Sequence, residues 1–270
     1  MSSIIVATDL SKKSVEIVKQ ASILANDLGA NLHLVHVIKE VAFSIFNNQN
    51  DFKEEVFSIL KDLFPKIEDK FLHVEVGRVD EVVSNLAKKI EAKLVILGNC
   101  GEGDELKSPF VGRDTKALVR KLITPALIVK NIGSINVEKI LIPTDFSEQS
   151  KWHIKAISLL FPKAKIILTH IYNLKNISNL NLYKIDSQKL NELKEDELKR
   201  VKTVADFFLK SLDSKVDLAL EEGKLTASTI SKIALKNGAK TVAIHTTEGI
   251  SLFAFDLLLE TDNNLLISAI

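Results

Sequence analysis

Ile4-Ile5-Val6-Ala7-Thr8-Asp9-Leu10-Ser11 returns later in the same chain as Ile140-Leu141-Ile142-Pro143-Thr144-Asp145-Phe146-Ser147, every position displaced by 136 residues. Each copy is a short branched apolar run that ends in Thr-Asp-x-Ser and leads into a helical pattern. An uninterrupted apolar run of this length reads as a strand buried on both faces, as in parallel sheets. Thr-Asp-x-Ser then supplies a turn and an N-cap hydroxyl for the following helix. Open α/β sheets bind ligands at the carboxyl ends of such strands, so the repeated stretch marks both the architecture and the place to look for a site.

Outward from the first copy, Ser11 caps a helix whose apolar positions Val15, Val18, Ala21, Leu24, Ala25 and Leu28 keep the 3.6-residue period, and Gly29 stops it. The pattern continues with a strand over 31–38, a polar Asn-rich loop over 39–50, a helix over 51–64 ahead of Pro65 and a strand over 71–76 closed by Gly77. A helix over 79–91, a strand over 93–97, a glycine-bearing loop over 98–112, a helix over 113–123 and a strand over 126–129 complete this half. Residues 131–137 form a short linker. The second half repeats the order with strands at 139–143, 165–171, 215–220, 241–245 and 265–270. Its first helix carries Trp152, Ala156, Leu159 and Leu160 as the expected apolar face. The long charged helix over 186–211 places Leu190, Leu193, Leu198 and Val201 toward the sheet, with its charges on the wet face. Helices over 227–236 and 251–259 complete the alternation. Strands alternating with helices at this spacing imply right-handed βαβ units. The fold class is therefore α/β: two tandem five-stranded parallel-sheet sandwiches, residues 1–131 and 138–270.

Composition narrows the function classes. At 46% hydrophobic and 26% charged, each half can bury an ordinary core. With 36 basic against 35 acidic residues, the chain lacks the electrostatic case for a general nucleic-acid or membrane-surface binder. A single cysteine, Cys100, excludes an intrachain disulfide and a cysteine-cluster metal site. No leader-like N-terminus and no apolar stretch of membrane-spanning length stand out, so the expectation is a cytoplasmic protein.

The residues resemble the universal stress protein family in its tandem two-domain form. The resemblance rests on the doubled opening motif, on Leu34-Val35-His36-Val37-Ile38, on Leu94-Val95-Ile96-Leu97-Gly98 and on the strand from Pro125 to Lys130. It implies an adenine nucleotide α-hydrolase-like fold, with the halves related by an internal pseudo-twofold and pairing through their fifth strands, 126–129 and 265–270. Nucleotide-binding members hold ATP with a loop of the form Gly-x2-Gly-x9-Gly-Ser/Thr. By that match Thr8 and Asp9 contact adenine and ribose, Ala7 stands where Pro is frequent, and Val37 packs beside the base. Gly98, Gly101 and Gly112 form the phosphate cradle, with Mg²⁺ arriving only with ATP. Glycines suit such a cradle because a backbone without Cβ can approach phosphates and offer its N–H groups.

The departures are specific. Ten residues, not nine, separate Gly101 from Gly112, and Arg113 stands where a small hydroxyl residue is expected. Glu102, Asp104 and Glu105 put three carboxylates into a loop meant for a tetra-anion, with Lys107 and Arg113 as partial offsets. In the second half, aligning Ala92-Lys93 on Ala239-Lys240 displaces the chain by 147 residues, and aligning Leu127 on Leu266 by only 139. The second loop and its helix are thus eight residues shorter. His245 and Glu248 stand in place of Gly98 and Gly101, so no phosphate cradle and no cofactor are expected there.

His36 and His170 recur at matching strand ends and read as histidines bonded to backbone. His33, on the opposite strand face from His36, cannot share an ion with it, and no metal site is expected. Cys100 reads as a small loop residue, and Trp152 as core or domain interface. No Ser-Gly-Gly-x-Asp-Ser or His-x-Gly-His signature occurs, so no catalytic residue is assigned. Two functions remain open: a non-enzymatic stress-response regulator with ATP in its first domain, or a nucleotide-free scaffold acting on an unknown protein partner. Association of two chains into a homodimer also stays open.

Overall fold

The computed structural model describes residues 2–44, 49–98, 117, 120–130, 135–174, 186–212, 216–246 and 252–269. Two compact units emerge, Met1–Asn136 with Ile244–Ala269, and Val137–Ala243 with the terminal Ile270.

In the first unit, β1 (Ser2–Thr8), β2 (Ala30–Ile38), β3 (Leu72–Val76), β4 (Leu94–Gly98) and β5 (Ala126–Val129) are joined by β10 (Asn264–Ala269). Their order across the sheet is β3-β2-β1-β4-β5-β10. The first five are parallel, and β10 runs antiparallel to β5 with Leu265 opposite Ile128 and Ile267 opposite Ala126. Ile4, Ile5, Leu34, Leu94, Ile96 and Leu127 are fully buried, because helices cover both faces of a parallel sheet. Helix α1 (Lys12–Asp27) buries Ser14, Ile17, Val18, Ala21, Leu24 and Ala25, so Ile17 rather than Val15 is the first apolar residue of its buried stripe. Gly29 follows the helix at φ 61°, the left-handed stop that a residue without Cβ adopts readily. The stretch read as a plain loop after β2 contains a short helix, α2 (Glu40–Phe43), ahead of α3 (Gln49–Leu63). A 3₁₀ turn, Asp69–Phe71, leads into β3, and α4 (Val79–Lys89) leads into β4.

Helix α8 (Leu252–Glu260) belongs to this unit too. The Lys130 ammonium donates to its last-turn carbonyls, Leu257 O at 3.0 Å and Leu258 O at 2.6 Å, and to Thr261 O at 2.6 Å. The Lys130 backbone N–H donates to Asn264 Oδ1 at 3.0 Å. A cation there satisfies carbonyls that have no intrahelical donor and complements the negative helix end.

The second unit builds β6 (Lys139–Pro143), α5 (Glu148–Leu160), β7 (Lys165–Tyr172), α6 (Ser187–Lys210), β8 (Asp217–Glu222) and α7 (Ala227–Asn237), and begins β9 (Thr241–Thr246). The order is β9-β6-β7-β8 with parallel pairing throughout. Helix α5 corrects the sequence reading. It buries Ser150, His153, Ile154 and Ile157, while Trp152 is 62% and Leu159 74% exposed. Buried positions at 150, 153, 154 and 157 continue to Phe161, and that stripe, not the one through Trp152, faces the sheet. Leu190, Ala205 and Phe208 are the buried positions of α6, whereas Leu193, Leu198 and Val201, expected to face the sheet, are only half-buried.

Candidate functional site

The first repeated turn is closed by hydrogen bonds from side chains the motif itself supplies. Thr8 Oγ1 accepts from Leu10 N at 3.1 Å, and Asp9 Oδ1 accepts from Ser11 N at 3.0 Å. Ser11 Oγ accepts from Ser14 N at 3.2 Å, the N-cap of α1. The Ser14 hydroxyl donates to Ser11 O at 3.0 Å, so the 2.9 Å contact between Thr8 Oγ1 and Ser14 Oγ has Thr8 as donor. Thr8 is 6% exposed, and its hydroxyl is thereby committed to the turn. Leu10 is held at φ 66°, a left-handed conformation costing a leucine about 1–2 kcal/mol that this ring of bonds must offset.

The neighbouring strands bring the other expected residues to the same edge. Thr8 pairs with His36 on β2, and a backbone carbonyl can only accept, so His36 Nδ1–H donates to Thr8 O at 2.9 Å. Val37, half-buried, is the next residue on that strand. On the other side of β1, Val6 pairs with Ile96, a register that carries Gly98 to the level of Thr8. The strand order reverses direction between β1 and β4: β2 and β3 extend the sheet to one side of β1, then β4 returns to the other. Thr8, Asp9 and Gly98 therefore sit at the topological switch point, where crevices open in such sheets. Ala7 lies one step inside the strand. Gly101, Gly112 and Arg113, together with Cys100 and the loop carboxylates, lie outside the described residues.

The second turn repeats this geometry with different closure. Thr144 Oγ1 accepts from Phe146 N at 3.0 Å, Asp145 Oδ1 from Ser147 N at 2.9 Å, and Ser147 Oγ from Ser150 N at 3.2 Å. His170 Nδ1–H donates to Thr144 O at 2.8 Å, and Phe146 repeats the left-handed bend at φ 64°. Here, however, the Ser150 hydroxyl donates to Asp145 Oδ1 at 2.7 Å instead of to its own helix end. Partial burial pushes the Asp145 carboxyl up, but the bonds from Ser147 and Ser150 outweigh it and hold the group below the usual carboxylate range. Phe146 stacks on His170, ring centres 4.3 Å apart, and meets Phe208 of α6 at 5.3 Å. Ser14, Ser150 and this aromatic stack were not singled out in the sequence; the recurring serine three residues after each cap was the available signal.

His33 turns to the other strand face and meets His73 of β3, with Nδ1 and Nε2 2.9 Å apart and ring planes 13° from parallel. Burial, then the neighbouring His73, pushes His33 down to about 4. His73 is also lowered, first by burial, with Glu75 opposing and Lys89 adding to the shift. Among the described residues no group of three or more His, Cys, Asp or Glu side chains could hold a metal ion, and no helix is long and apolar enough to cross a membrane. An open groove of about 630 Å³ runs between α3 and β3, past Lys53, Phe57, His73 and Glu75, and none of the turn residues lines it.

An open, mainly parallel sheet with a capped Thr-Asp turn and a glycine flanking its switch point defines an α/β protein of the open-sheet class that binds ligands at strand ends. Residues 1–130 match the sequence profile of the Universal stress protein family, and this half of the chain belongs to that family. Solved structures extend the fold over the full chain. A universal stress protein from Archaeoglobus fulgidus DSM 4304 superposes with a TM-score of 0.68 at 14% identity, covering 99% of this chain and 98% of that one. A functionally unknown protein from Pseudomonas aeruginosa PAO1 does so with a TM-score of 0.68 at 16% identity, covering 100% and 92%. At these identities the likeness is one of fold. No curated protein matches the chain.

Proposed function

We propose that this chain is a tandem universal stress protein of the cytoplasm whose first half binds ATP, with Mg²⁺ carried by the nucleotide, and that it acts as a regulator and not as an enzyme. One observation carries the reading: Thr8, Asp9 and Gly98 flank the switch point of a domain that belongs to this family. Asp9 and Val37 would hold the nucleoside. Gly98, with Gly101, Gly112 and Arg113, would hold the phosphates. The second half would stay empty, since Asp145 is bonded by its own Ser150 and Phe146 is stacked on His170. The antiparallel pairing of β10 on β5 supports a related reading, in which one chain supplies both strands of the fifth-strand pair expected between family domains.

Thermal unfolding with and without ATP and Mg²⁺ tests the proposal. A ligand at 100 times its Kd adds about 2.7 kcal/mol, enough to raise Tm by several degrees in a protein of this size. Gly98→Val should remove the rise, because a branched side chain would stand where the phosphates approach. No rise in the unaltered protein would favour the nucleotide-free scaffold, a reading supported by the three loop carboxylates Glu102, Asp104 and Glu105.

A further inference from the structure

The internal repeat lets the surface of α5 be compared with that of α1; at the first aligned position Glu148 stands where α1 has Lys12. On α1 the outward stripe is Glu16, Lys19, Ile23 and Asp27, with Lys19 paired to Glu16 at 3.7 Å. The matching stripe of the second unit is Trp152, Lys155, Leu159 and Lys163. Two carboxylates of the first stripe are thus replaced by an indole and an ammonium, while the exposed aliphatic and one lysine remain. Trp152 is 62% and Leu159 74% exposed, far from the burial that side chains of this size normally find. Lys155 and Lys163 are exposed, Lys151 is half-buried beside Trp152, and none of the three has an ion-pair partner among the described residues.

The second unit extends this surface. Strands β6, β7 and β8 lie side by side in chain order, so right-handed crossovers put α5 and α6 on the same face of the sheet. On that face α6 exposes Phe207 (73%) and Val204 (48%), with Lys210 and Arg200 at the adjoining helical positions. Arg200 is held by Glu197 at 2.8 Å. Around Trp152 and Leu159, Lys151, Lys155 and Lys163 outnumber the single carboxylate of Glu148, so a second copy of this face would meet it with an excess of like charge. Its complement is apolar and acidic.

We propose that the exposed face of α5, formed by Trp152, Lys155 and Leu159 and flanked by Lys163 in the turn after the helix, docks an acidic amphipathic segment of a partner protein. Trp152 and Leu159, one face of the helix seven residues apart, engage the partner's apolar positions, and the lysines engage flanking carboxylates. The surface is independent of nucleotide binding at Gly98.

Trp152 is the sole tryptophan, so its emission reports on this face alone. Two synthetic helical peptides with the same leucine stripe, one flanked by Glu and one by Lys, are titrated into the full chain. The Glu peptide should shift Trp152 emission saturably to shorter wavelength, weaken about tenfold with Lys155→Glu plus Lys163→Glu, and weaken with added salt. All altered positions are solvent-exposed, and Leu159→Ala, which changes no charge, provides a second variant expected to weaken binding. Four outcomes would overturn the proposal: no shift, equal shifts from both peptides, a shift only with phosphatidylglycerol vesicles, or a shift driven by protein concentration alone.

Discussion

Acidification should loosen the first unit through one identifiable contact. His33 and His73 stand 2.9 Å apart between Nδ1 and Nε2, so the two facing nitrogens share one hydrogen and one of them must be bare. His33 is 8% exposed, with the Phe71 ring edge-on at 4.9 Å, and its pKa is lowered from 6.5 to about 4. The folded state therefore favours the neutral ring. Its contribution is complete above pH 6.5 and is lost as the pH falls toward 4. Linkage over that interval gives a loss of roughly 2 kcal/mol between pH 8 and pH 5, and about 3 kcal/mol once the pH is below 4. The lowered His73 acts in the same direction. Urea unfolding across pH 8 to 4.5, followed for the native chain and for His33→Gln, isolates the effect. Glutamine fills much of the same space but does not titrate. The variant should be less stable at pH 8 and flatter between pH 6.5 and 4.5, where most carboxylates remain ionised. Parallel profiles for the two proteins, or an NMR titration of His33 with its midpoint near 6.5, would refute the reasoning.

Other contacts make further predictions. Lys130→Met removes an ammonium that three carbonyls accept from, and should cost about 3 kcal/mol in urea unfolding, with early hydrogen exchange at the end of α8. Ser11→Ala and Ser147→Ala each remove an N-cap and should each cost about 1 kcal/mol, measurable as a lowered Tm. Asp80, its side chain almost fully enclosed, is drawn down to about 2 by Arg78 and then by Lys121. Its contribution is complete above its ordinary value of 3.8 and lost as the pH falls toward 2. Asp80→Asn should therefore lower Tm at pH 7 and narrow its difference from the native chain near pH 2.5, read by circular dichroism.

The repeated turn was legible because its residues specify local geometry: Thr8 and Thr144 close the bend, Ser11 and Ser147 cap the helix, and none depends on a distant partner. The strands followed from short apolar runs for the same reason, and β5 begins and ends where the pattern placed it. The buried face of α5 was misread because an exposed tryptophan and leucine imitate a core stripe; Ile154 and Ile157 win because they continue to Phe161. The His33–His73 contact escaped because it joins residues 40 positions apart, diagonally across two strands whose register no local pattern specifies. Of the cradle, Gly98 is placed by its strand, whereas Gly101, Gly112 and Arg113 stand beyond the described residues.

The antiparallel contact between β5 and β10 has a consequence for biosynthesis. Ala126–Val129 is synthesised more than 130 residues before the strand that covers its open edge, Asn264–Ala269. During that interval the nascent chain carries a short, wholly apolar edge with unpaired N–H and C=O groups, the kind of template that recruits other strands. A ribosome stalled anywhere in the second half would release a product with this edge exposed. Such truncated chains should be sticky and chaperone-dependent in a way the finished protein is not.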